Sequence, residues 1–372
     1  MPITMIAVVT DKTLRIYDVL VWKRTAVFHL IYAFSICPAV HSFMERWSGI
    51  LKVPLYPNSK SHYRVAVSLC LASSLKSLTI PSANAILFNG DRVEGTGNPV
   101  IDRLSDLQRI AEILVSKFGS SVNVWVIEAS TFNGPFAVYK DFIPSVNCWG
   151  EPKSYNSNGF PASASTATLL SNCLKEAKKF PFGKQKEAVQ AGASVSCLHQ
   201  PRTFILGFSK GGTVLNQLVT ELGFSAFKSS EQPGNVDKQL MAGGHINVPD
   251  QDQIIPTSAK SLLNSISEIH YVDVGLNSSG AYLTDGDVIE KLSKGLAQGT
   301  TGIRFILHGT PRQWCDSRRE WIKNEKEKLL RLLKLGSEKS GGKLQVCERF
   351  YFADKPPSMQ MHFEIIDHLD VS

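Results

Sequence analysis

Residues 204–223 read FILGFSKGGTVLNQLVTELG, and the order of residue types in this stretch decides the fold. An apolar run suited to a buried strand leads into Gly207-Phe208-Ser209-Lys210-Gly211, and a helix-forming run follows. This is the pattern of a nucleophile elbow, in which a serine sits at a sharp strand-to-helix turn. Such a turn strains the backbone of the serine and needs small neighbours, here Gly207, Gly211 and Gly212. In the following helix Val214, Leu215, Leu218, Val219 and Leu222 form one apolar stripe. The five-residue G-x-S-x-G pattern also occurs at plain strand-turn-helix junctions with a solvated serine; the strand, stripe and glycine pair favour the elbow. Ser209 is therefore the candidate nucleophile. The amide of Lys210, at the start of the helix, is a candidate oxyanion donor.

Outward from this stretch, apolar runs predict strands at 51–70 (two of them), 85–89, 122–128, 203–208, 268–274, 303–308 and 344–352, eight in all. Periodic stretches predict helices near 102–118, 165–179, 211–223, 288–297 and 318–335. Alternating strands and helices imply a mostly parallel sheet covered on both faces. The intervals 129–202 and 224–266, rich in Asn, Ser, Pro and Gly, exceed ordinary connections and read as two polar insertions near the mouth of the site.

A reacting serine needs a base, a group that orients the base, and donors for the developing negative charge. In open parallel sheets the ligand lies at the carboxyl ends of the strands, so each partner should follow a strand. His362, after the last strand, is the candidate base, with His368 as its rival. Asp316, in the segment after strand 303–308, is the preferred acid, although its position also suits an N-cap of the next helix. Asp273, closing the preceding strand, is the alternative acid. The turn Asn89-Gly90-Asp91 follows another strand, and the amide of Gly90 or Asp91 is the second candidate oxyanion donor; an ordinary turn reads the same way. Phe132, Phe136, Tyr139, Phe142 and Trp149 are candidates to line an acyl pocket or simply to fill the core.

The chain of 372 residues carries a formal charge of +7, but residues 1–90 hold nine Lys/Arg against three Asp/Glu, which leaves +1 for the rest. A balanced body argues against nucleic acid as a partner, since that requires basic residues clustered on one face. The seven cysteines lack metal spacing and no H-E-x-x-H set is present, so no metal or cofactor is expected. The apolar run 25–40 is interrupted by His29 and Pro38 and is short of a bilayer span, so no transmembrane segment is expected. Residues 1–43 read as an extension outside the fold or a targeting segment, and 44–372 as a single domain. From Arg46 to Gly90 there is no acidic residue among eight serines, a composition that resembles a transit peptide, although strands at 51–70 account for it better.

GFSKG followed by VLNQL, the FNGD turn, HGTPRQWCD with Trp321 soon after, and the late MHF together resemble the eukaryotic family of the human chromosome two open reading frame sixty-nine product. The chain looks like a plant-type member, similar over roughly residues 46–369 apart from the polar insertions. The resemblance implies an α/β-hydrolase-like fold, a mitochondrial location with plastid or cytoplasm as alternatives, and Ser209, Asp316, His362 and Asp91 at matching positions. It departs at Gly275-Leu276-Asn277, where animal members carry a Gly-Gly-His element, so no role is transferred to that loop. Two functions follow. One is a serine hydrolase of esterase, thioesterase or amidase type acting on a small or lipid-like acyl substrate. The other is a catalytically inactive hydrolase-fold protein that binds or assembles a protein partner.

Overall fold

The computed structural model describes residues 9–10, 13–14, 45–72, 77–180, 200–225 and 251–372. The chain divides into Met1–Ser42 and Phe43–Ser372. In the first, Val9–Thr10 pairs antiparallel with Thr13–Leu14; the apolar run 25–40 lies outside the described residues. The second is built on one sheet of eight strands: β1 Glu45–Pro54, β2 His62–Leu71, β3 Ala83–Phe88, β4 Val122–Ile127, β5 Arg202–Phe208, β6 Ile266–Val272, β7 Ile303–Gly309 and β8 Leu344–Phe350. Their order across the sheet is β8-β7-β6-β5-β3-β4-β2-β1. β2 runs antiparallel to both β1 and β4, and every other pairing is parallel. This is the α/β-hydrolase arrangement, and the predicted strands fall within a few residues of those observed.

The inner strands are apolar on both faces because both faces are covered. Along β3, Ile86 and Phe88 enter one core with α3 (Pro161–Ala177), α4 (Gly212–Phe224), α5 (Gly286–Gln298) and α6 (Glu320–Lys339). Ala85 and Leu87 enter the opposite core with α1 (Pro99–Leu104), α2 (Leu107–Phe118) and α7 (Met359–His368). The single helix expected at 102–118 is two. Asn98 caps α1, whose last turn closes at Ser105, and the Asp106 side chain accepts from Arg109 N at 2.7 Å to start α2 afresh.

The interval 129–202, expected to be an insertion, is partly load-sharing structure. It holds a hairpin, Thr131–Asn133 with Phe136–Val138, and the core helix α3. The start of α3 has no side-chain cap of its own. Glu221 of α4 serves it instead, accepting from Ala162 N, Ser163 N and Ser163 Oγ at 2.8, 2.9 and 2.6 Å. In 224–266 the described parts are two short helices, Gln251–Ile254 and Ala259–Ser265.

The chain leaves β3 towards β4 on one side and leaves β5 towards β6 on the other. The loops after β3 and β5 therefore part and open a crevice at their carboxyl ends. The backbones meet tightly at its floor. A Cβ on Gly211 would lie 2.0 Å from the Phe88 carbonyl oxygen, one on Gly207 2.7 Å from Gly212 Cα, and one on Gly212 2.3 Å from a Val274 methyl. Gly211→Ala should therefore destabilise the fold by about 2–3 kcal/mol, because its obstacle is backbone rather than a mobile side chain. Urea unfolding measures this, and an unchanged midpoint would mean that the two loops are not in contact.

Candidate active site

Ser209 follows β5 directly and opens a one-turn 3-10 segment, Ser209–Gly211, that runs into α4. Its φ is +53°, a left-handed conformation that costs a non-glycine residue about 1–2 kcal/mol. The turn after β3 is pressed against it. A Cβ on Gly90 would fall 2.5 Å from Ser209 Cβ and 3.1 Å from its Oγ, so only glycine fits there. Among the described hydrogen bonds, the backbone N–H groups of Gly90, Asp91 and Lys210 have no acceptor. Donors left unpaired beside a serine hydroxyl are what a developing oxyanion requires.

His362 lies on α7, after β8, and is 6% exposed. Its Nδ1–H donates to Asp273 Oδ2 at 2.6 Å, and its ring stacks on Phe208, the residue before the serine, at 4.7 Å between centroids. With Nδ1 as donor, Nε2 becomes the acceptor nitrogen. Asp273 immediately follows β6, is fully buried and has a φ of +44°. Its carboxylate also accepts from Thr310 N at 2.8 Å and Thr310 Oγ1 at 3.0 Å, just past β7. Every described partner of Asp273 is a donor, so its buried charge is matched by hydrogen bonds rather than stranded. Ser209 and His362 line one cavity of about 230 Å³. His368, the rival base, is exposed and rests edge-on against Phe352 at 5.1 Å.

The preferred acid, Asp316, is not the partner of His362. It N-caps a 3-10 turn, Ser317–Arg319, by accepting from Arg318 N at 3.0 Å, and it pairs with Arg312, Arg318 and Arg319 at 3.3, 3.3 and 3.0 Å. The local cap and the arginines turn its carboxylate back on its own loop. Asp273, the alternative acid, is the carboxylate bonded to His362. No sequence signal named Thr310, whose role follows from the strand register that sets the end of β7 beside the end of β6.

Asp91 and Lys210, expected to contribute amides, also join their side chains. Lys210 is 2% exposed; its ammonium lies 3.0 Å from Asp91 Oδ1, donates to Trp149 O at 2.9 Å and sits 4.5 Å above the Phe136 ring. Asp91 Oδ1 accepts from Ala137 N at 2.7 Å. Burial pushes the Asp91 carboxyl above the usual carboxylate range, an effect opposed by Lys210. The pair ties the turn after β3, the serine loop and the 131–138 hairpin together. Of the five aromatic candidates for an acyl pocket, Phe136 lines the cavity. Tyr139 and Phe142 are core, Trp149 packs on Phe136 and is half exposed, and Phe132 lies under the Arg92 guanidinium at 4.0 Å. Among the described residues no group of His, Cys, Asp and Glu is placed to hold a metal ion, and no helix is long and apolar enough to cross a membrane.

Burial opposes ionisation of Asp316, but the Arg318 amide and the Arg319 and Arg318 guanidinium groups outweigh it and hold the carboxyl at about 2. A carboxyl depressed in the folded state stabilises fully above its unfolded value of about 4, and that contribution vanishes as pH falls through the folded value. Asp316→Asn should keep the cap yet lose this dependence. Its stability curve should be flatter than the wild type's between about pH 4 and 2, as followed by thermal unfolding. Parallel curves would show that the arginines do not hold the charge.

The C2orf69 family model matches residues 145–337, just over half of the chain. The chain is 25% identical over 295 residues to the mouse mitochondrial protein C2orf69 homolog, covering 70% of this chain and 68% of that protein. It is 25% identical over 294 residues to human mitochondrial protein C2orf69, covering 70% of this chain and 65% of the human protein. The matched stretch thus spans about two thirds of these relatives' own length. Among solved structures, siderophore hydrolase EstB from Aspergillus nidulans aligns at a TM-score of 0.41 and 13% identity, over 90% of this chain and 99% of that one. EstA from the same organism aligns at 0.40 and 12%, over 95% and 100%. Scores this low add nothing to the strand order above. By the match to its family model, the chain belongs to the C2orf69 family.

Proposed function

We propose that the chain is a serine hydrolase cleaving an ester, thioester or amide through an acyl-enzyme, with Ser209 as nucleophile, His362 as base and Asp273 as the group that orients it. The observation that carries this reading is the bond from His362 to the buried Asp273, on the same cavity as a serine in a left-handed turn. In the first half-reaction Ser209 Oγ attacks the acyl carbon while His362 Nε2 takes its proton. The oxyanion faces the amides of Lys210 and of Gly90 or Asp91, and the imidazolium is stabilised by Asp273. His362 then returns the proton to the departing oxygen, sulfur or nitrogen, leaving Ser209 acylated. Water attacks that ester, His362 again taking and returning a proton, and the carboxylic acid leaves.

The relatives in mouse, human and zebrafish are named mitochondrial proteins, and mitochondrial localisation of this chain is supported by that kinship. A fusion of residues 44–90 to a fluorescent reporter tests whether the acid-poor stretch directs import, and a diffuse cytosolic signal would count against it. A small or lipid-like acyl compound fits a cavity of this size, whose apolar lining includes Phe136, Phe208, Leu276 and Phe363.

A fluorophosphonate should label the wild-type protein and leave Ser209→Ala unlabelled. His362→Ala and Asp273→Asn should slow labelling by about 100-fold or more, the usual weight of a positioned general base. A greater loss on Asp316→Asn than on Asp273→Asn would reverse the assignment of the acid. A folded wild type that does not label would instead favour a hydrolase fold retained for binding a partner.

A further inference from the structure

Beside the candidate active site three arginines gather around a single carboxylate. A groove of about 410 Å³ shares Arg312 and Met359 with the serine cavity, and its charged lining is Arg312, Arg318 and Asp316. A hollow of about 300 Å³ shares Asn277, Arg312 and Arg319 with that cavity, and its charged lining is the same three residues with Arg319. Three guanidiniums meet one carboxylate in this corner. Their described bonds leave donors free: Arg312 gives Nη1 to Asp316, Arg318 gives Nε to Asp316, and Arg319 gives Nε to Asp316 and Nη2 to the Arg312 carbonyl. An arginine carries five N–H donors in a fork that suits carboxylate and phosphate.

Pairing with Asp316 accounts for one positive charge of the three, not for the excess. Arg318 and Arg319 immediately precede α6, where the helix dipole disfavours positive charge. Burial and the nearby Arg319 both lower the Arg312 pKa, and Asp316 only partly compensates. The corner is thus positive and incompletely paired, and it opens onto the cavity that holds Ser209.

Its position relative to His362 says which part of a substrate it faces. Met359 lies one turn before His362 on α7, and both residues line the serine cavity. In the serine-hydrolase reading His362 protonates the departing atom, and the groove shares Met359, one turn from it, and Arg312 with the serine cavity.

We propose that Arg312, Arg318 and Arg319 form a subsite for an oxyanion, a phosphate or a carboxylate, carried by the leaving group of the acyl substrate. Assignment to the leaving group rests on the serine-hydrolase reading; the anion site itself does not.

The test separates the two. The full chain carrying Ser209→Ala, which cannot react, is titrated calorimetrically with hexyl phosphate, hexanoate and 1-hexanol. At least one anion should bind about tenfold or more tighter than the alcohol, and its affinity should weaken as salt rises. The order of hexyl phosphate and hexanoate names the anion, and either order supports the subsite. Adding Arg312→Gln with Arg318→Gln should remove the preference for the anion. Asp316→Asn should increase it, because it frees guanidinium donors while an asparagine still caps the turn. A gain of affinity cannot come from misfolding. Equal binding of alcohol and anions, or anion binding unmoved by both substitutions, would overturn the subsite. A failure of fluorophosphonate to label wild type would sink the hydrolase reading and leave this result standing.

Discussion

The close approach of three backbones at the carboxyl ends of β3, β5 and β6 is the constraint on which the site depends. Ser209 holds a left-handed φ because β5 ends against a helix that begins without a linker. The turn is narrow enough that Gly211 touches the last carbonyl of β3 and Gly212 touches Val274 beyond β6. Gly90 meets the serine side chain from the other side. A side chain at any of these glycines would part the strands or turn the serine, so packing of the sheet ends and presentation of the hydroxyl are one requirement.

Asp273 repeats the device on the next strand. It too has a positive φ, and its amide is still held by His308 O of β7 at 2.8 Å. A left-handed residue at a strand end redirects its side chain, here to Thr310 and His362. Two strained residues on adjacent strands cost about 1–3 kcal/mol each. Both stand directly on the central, fully buried part of the sheet, where the surrounding packing leaves the loops little room to relax.

The inner strands β3 to β7 were legible because strands buried on both faces appear as uninterrupted apolar runs. The placing of Ser209 and His362 on one cavity was legible because a glycine-flanked serine after one strand and a histidine after the last strand leave marks in chain order. The acid was not. Asp273 and Asp316 both follow strands, and what separates them is a left-handed φ at one and a local cap with three arginines at the other. Neither is written in spacing. Caps also decided the helix boundary at Ser105, where Asp106 restarts the helix within a continuous apolar stripe. The contacts of Lys210 with Asp91, and of Glu221 with the start of α3, cross the sequence between distant segments, and no local pattern carries them.

Charge around the site is arranged so that one corner dominates. Next to Ser209, Lys210 is paired with Asp91. Under the sheet edge, Glu268, His270, His308 and Tyr351 form a continuous hydrogen-bonded chain. Burial lowers the pKa of His270 and drives that of His308 well below the usual histidine range, so both rings are uncharged near neutrality. The chain therefore adds order to β6, β7 and β8 without adding positive charge. Glu268, drawn below the usual carboxylate range despite its burial by His270 and Arg304, pairs with Arg304. Beside these paired or uncharged groups, Arg312, Arg318 and Arg319 share the single carboxylate of Asp316.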